Sequence, residues 1–85
     1  MVCRKYISVV ADYAVDGTVR PVSIMFEDGP AFRVDRVISA THMSSTKTDG
    51  EETRYYVRIG DREHYLFFED AREGKASRWF VQSTA

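Results

Sequence analysis

Apolar and polar residues alternate along most of the chain, and the alternation breaks where glycine sits beside aspartate. Period two is the signature of a half-buried strand, whereas helical spacing is weak throughout. "YISVVADYAV" (6–15) and "VRPVSIMFE" (19–27) flank Asp16-Gly17. A two-residue type I′ turn there, with Val15 facing Thr18, predicts the pairs Tyr13–Arg20, Ala11–Val22, Val9–Ile24 and Ile7–Phe26. The inward face is then Ile7, Val9, Ala11, Tyr13, Val15, Val22, Ile24 and Phe26. A slip of one residue would destroy that segregation.

"FEDGPAFRVDRV" (26–37) places a second Asp-Gly pair before a proline. Pro30 has no N–H with which to close a two-residue turn. An odd-length loop is expected instead, pairing Phe26 with Phe32 and Ile24 with Val34. Beyond Val34 the alternation falters, which predicts a bulge or sharp bend near Asp35-Arg36, as at a barrel corner. The strand then resumes through Val37, Ile38 and Ala40.

"HMSSTKTDGEE" (42–52) is polar and rich in small residues, and reads as a long surface loop. "TRYYVRI" and "REHYLFFED" are joined by Gly60-Asp61, which suits a type II′ turn. That register pairs Val57 with His64, Tyr55 with Leu66 and Thr53 with Phe68 on the core face. Arg58–Glu63, Tyr56–Tyr65 and Arg54–Phe67 meet on the other. Residues 71–76 form a loop or single helical turn, and "SRWFVQ" (77–82) is a last strand with Trp79 and Val81 inward. The sum is an all-β fold: an antiparallel meander of five to six strands, curled into a small barrel of Src-homology-3-like type. Closure removes the exposed edges that invite aggregation.

Composition narrows the class. The 85 residues make one domain, 1–85, and 44% of them are hydrophobic, too many for a disordered chain. No apolar run approaches the roughly 20 residues of a membrane helix. The first residues lack a cleavable leader pattern, so a cytoplasmic protein with no membrane partner is expected. A net charge of −1 argues against a broad basic field. Nine of the twelve basic residues are arginine, the better residue for stacking and bidentate contacts. Cys3 is alone, so it forms no internal disulfide.

The spacing "DGTVRPVSIMFEDGPAFRVDRV", then "RYYVRI", "YLFFE" and "RWFV", resembles a group of small uncharacterised bacterial proteins of Gram-positive type. The resemblance implies a Src-homology-3-like small barrel. It implies no catalytic or binding residues.

The sharpest candidate chemistry is the outward face of the 53–70 hairpin: Arg54, Tyr56, Arg58, Tyr65 and Phe67. Strand-borne rings beside arginines can stack bases and hold phosphates. Glu63 and Glu69 share that face and oppose a polyanion, which favours the other reading, a face partly covered by the 42–52 loop, the last strand or another subunit. His64, in core register, reads as a packed residue, and His42 as a solvated one. Two histidines without a third ligand make no zinc site, so neither metal nor cofactor is expected. A filled barrel interior leaves no cleft for catalysis. The leading expectation is a non-catalytic module that binds a protein partner, or itself as a homodimer, through a strand edge or the Arg/Tyr face. The alternative is nucleic-acid binding through that face. A third reading is an enzyme or ligand binder using His64 or Cys3.

Overall fold

The computed structural model describes residues 2–26, 29–45, 50–70 and 76–84, and every regular element among them is a strand. The strands are β1 (Val2–Tyr13), β2 (Val19–Met25), β3 (Ala31–Arg33), β4 (Arg36–Ser45), β5 (Gly50–Ile59), β6 (Arg62–Glu69) and β7 (Arg78–Thr84). They form one antiparallel sheet in the order β3-β2-β1-β7-β6-β5-β4, curled into a half-barrel. The all-β antiparallel, curled sheet is as expected; two runs of consecutive strands, β1–β3 and β4–β7, meet at the β1–β7 pair. There are seven strands rather than five or six, because the corner at Val34-Asp35 divides one expected strand into β3 and β4.

β1 is long because it serves two partners: residues 2–7 pair with β7 and residues 8–13 with β2. The first turn differs from its expected form. Gly17 N–H donates to the Ala14 carbonyl at 3.0 Å, and Ala14 N–H to the Thr18 carbonyl at 2.9 Å. These bonds close a three-residue loop in which Gly17, at φ 93°, takes the one left-handed position. A type I′ turn would have needed positive φ at Asp16 as well. The pairing is therefore Tyr13–Val19 and Ala11–Pro21, and a bulge at Val22 restores Val9–Ile24. As a result Val19 and Pro21 turn inward, while Tyr13, Val15 and Val22 are exposed.

The β2–β3 connection spans 26–30, an odd length as expected. Its pairs are Ile24–Phe32 and Met25–Ala31, two residues from the expected register. Phe26 meets Phe32 edge-on at 6.2 Å instead. Asp28 lies outside the described residues. The expected bend is at Val34-Asp35, where Val34 N–H donates to the Val22 carbonyl and Asp35 N–H to the Arg58 carbonyl. The corner thus fastens β2 and β5, from opposite ends of the sheet, through adjacent residues. A second bulge, at Ile38, separates Val37–Val57 from Ser39–Tyr56.

Most of 42–52 is strand rather than loop, paired from His42–Thr53 to Ser45–Gly50, with 46–49 outside the described residues. Polarity in this segment accompanies a paired ladder, not a missing one. The expected loop or turn at 71–76 lies outside the described residues except for Ala76. β5 and β6 pair in every position as expected, around Gly60 at φ 65°. Their concave face, with Ile24, Val34 and Trp79, forms the core, where Val57 and Leu66 are fully buried. The buried Tyr55 hydroxyl donates to the Val19 carbonyl, so its polar tip is satisfied. Burial, with Tyr13 second, raises the pKa of that phenol above its ordinary value.

Candidate functional site: an arginine-aromatic face and an open seam

The five residues singled out from sequence share the convex face of β5 and β6, but not one environment. Tyr56 and Tyr65 pack against each other at 4.8 Å between ring centres, and the Arg54 guanidinium lies 5.0 Å over the Tyr65 ring. Arg58 is exposed and its Nε donates to the Gly60 carbonyl. Desolvation first, then Glu63, pushes the Tyr56 phenol up. Phe67 is buried and stacks on the buried Phe80 of β7, with centroids 5.0 Å apart and planes within 9°. Its faces are therefore not open to a base.

Pairing β1 and β7 beside this hairpin adds residues that hairpin-by-hairpin reading does not find. Arg4 lies 4.5 Å over the Phe80 ring and Tyr6 meets Phe80 edge-on. Glu52 and Glu69 stand opposite each other across β5 and β6. Arg4 bridges these two carboxylates at 2.9 and 2.8 Å, and Arg78 holds Glu69 at 2.7 Å. The bond to Glu69 raises Arg78 above the usual guanidinium range. The face is thus an internally paired ionic lattice over a second aromatic cluster. Its sequence signal, aromatics and arginines two apart at 4/6 and 78/80, becomes legible only once the β1–β7 register is known.

The interior is not filled as expected. A groove of about 940 Å³ opens between the β2–β3 hairpin, the β5–β6 turn, β6 and β7. Ile24, Phe26, Phe32, Ile59, Leu66 and Val81 supply its apolar lining, and Phe32 stays 40% exposed. His64 lies on its rim and is exposed rather than packed. Cys3 is exposed.

The groove exists because β6 and β7 part. Among the described residues they pair only at Phe67–Phe80, Phe68–Trp79 and Glu69–Arg78, and no strand lies on that side of residues 62–66 of β6. Backbone groups alternate between the two neighbours of a strand. Asp70 N–H donates to the Glu51 carbonyl, which fixes the phase of the β5–β6 ladder. Counting by twos, His64 and Leu66 direct their N–H and C=O groups at β5, and Glu63 and Tyr65 direct theirs into the seam. The bond from Asp35 N–H to the Arg58 carbonyl, on the far side of β5, obeys the same phase. Among the described residues no backbone group pairs with Glu63 or Tyr65 across the seam. Side chains of both faces line the groove, inward Leu66 and Val81 with outward Tyr65 and Gln82, so it opens between the strands.

No group of three or more His, Cys, Asp or Glu among the described residues is placed to hold a metal ion. No helix among them is long and apolar enough to cross a membrane. Compared with models of known families, with curated proteins and with solved structures, the chain finds no match. Its assignment as a small all-β half-barrel therefore rests on the structure itself, and no residue role comes from a relative.

Proposed function

We propose that this chain is a non-catalytic protein-interaction module, a Src-homology-3-like barrel left open on one side, whose groove takes an apolar segment of a partner protein. The observation that carries this reading is the apolar groove itself, with Phe26 and Phe32 presented beside Leu66 and Val81. The arginine-aromatic face supports nucleic acid less well. Its arginines at 4 and 78 are already paired with carboxylates, and Phe67 is buried.

The test is selection of a random displayed peptide library on the protein, with Phe32→Asp as the counter-target. Phe32 is 40% exposed on a short edge strand, so the substitution is expected to leave the fold intact, as circular dichroism checks. Enriched peptides that bind the natural chain and lose Phe32→Asp support the groove. Peptides indifferent to Phe32→Asp, or no enrichment, overturn it. Salt-sensitive binding of a single-stranded oligonucleotide, lost in Arg54→Ala, would overturn it in favour of nucleic acid.

A further inference from the structure

We infer that the partner segment enters as an added β-strand, pairing its backbone with β6 at Glu63 and Tyr65. This rests on the groove reading and specifies how the groove is used. Two residues of β6 turn two N–H and two C=O groups into a seam that no other strand among the described residues fills. Such a row is satisfied along its length by an extended backbone, and a strand laid on it gains affinity from main-chain bonds and specificity from alternate side chains.

The place sets the occupant's chemistry. The open stretch is 62–66, roughly 17 Å of strand at about 3.3 Å per residue. It is closed at one end by Phe67–Phe80 and flanked by β7. A single extended segment fits this wedge. The β6 edge of a second copy carries its own β5 and β7 and does not. In an added strand, every second side chain points into the groove against Phe26, Phe32 and Val81, and is apolar or aromatic. The intervening side chains point outward beside Tyr65 and Gln82, and are polar. The occupant is therefore an extended peptide of another protein with alternating apolar and polar residues.

Two measurements on the full chain test the inference, using the best Phe32-dependent peptide from the library. First, that peptide is N-methylated one residue at a time. Loss of about tenfold in affinity at every second residue is expected, from one hydrogen bond each. Second, Glu63→Pro removes an N–H that faces the seam and spares the β5 ladder. It is expected to stay folded and lose about tenfold or more in peptide affinity, while Glu63→Ala retains binding. A peptide that needs Phe32 yet ignores both N-methylation and Glu63→Pro overturns strand addition and leaves the groove reading standing. A dimer mass in solution that Glu63→Pro abolishes would overturn the peptide occupant in favour of a second copy.

Discussion

The backbone N–H of Gly60 donates to the Asp35 carboxylate at 2.7 Å, tying the β5–β6 turn to the corner between β3 and β4. Twenty-five residues separate the two in sequence. Asp35 also donates its own N–H to Arg58, so one residue grips β5 through its backbone and the following turn through its side chain. Both features wall the groove. Asp35→Ala should cost about 1 kcal/mol, below the roughly 1.5–3 kcal/mol of a charged acceptor because the site is exposed. That lowers the Tm by roughly 4–8 °C in a domain of this size, measurable by thermal denaturation. Peptide affinity should fall too, since the walls lose their tie.

Phe80 and Tyr65 share the convex face but should respond very differently to truncation. Phe80 is buried between Phe67, Tyr6 and Arg4, whereas Tyr65 is about half exposed. Phe80→Ala should cost about 3–5 kcal/mol, enough to unfold much of a small domain. Tyr65→Ala forfeits the tilted contact with Tyr56 and the Arg54 guanidinium, about 1 kcal/mol. Urea denaturation of the two variants separates them. Equal losses would mean that the second aromatic cluster is not packed as described.

The first turn carries a pH signature. The Thr18 N–H donates to Asp16 Oδ1 at 2.9 Å, and this bond holds the Asp16 carboxyl below its ordinary pKa. A depressed carboxyl contributes stability above its unfolded value and loses it as pH falls through the folded one. In an NMR titration Asp16 should therefore protonate at lower pH than a free aspartate, and the Thr18 amide should shift with it. Asp16→Asn keeps an oxygen acceptor and removes that acid-side dependence. An unshifted Asp16 titration would contradict the capped turn.

Local pattern was the most legible layer. Gly60-Asp61 fixed the whole β5–β6 register because two residues between two alternating runs leave one parity and one length. Asp16-Gly17 marks a turn whose loop is one residue longer than the spacing implies. One left-handed corner needs only one glycine, and the resulting shift was absorbed by a bulge at Val22 that leaves no mark in the alternation. The bend at Val34-Asp35 announced itself through the misplaced polarity of Arg36.

The candidate site was half legible. Arg54, Tyr56 and Tyr65 do share a face with mutual contacts. Phe67 lies on that face under Phe80 of the last strand, and which ring of β7 covers it depends on a register that local spacing cannot supply. The seam was invisible for the same reason. Its existence depends on β6 and β7 ceasing to pair after three residue pairs, and nothing in either strand's own sequence encodes that divergence.

Hydrogen exchange in the unliganded chain, read amide by amide by NMR, addresses the seam without any partner. Along β6 the amides of His64 and Leu66 should be protected by β5, and those of Glu63 and Tyr65 should exchange at nearly free rates, an alternation that ends at Phe67 where β7 joins. Uniform protection from Glu63 through Phe67 would mean that β6 and β7 are zipped along their length, leaving no groove between them to bind anything.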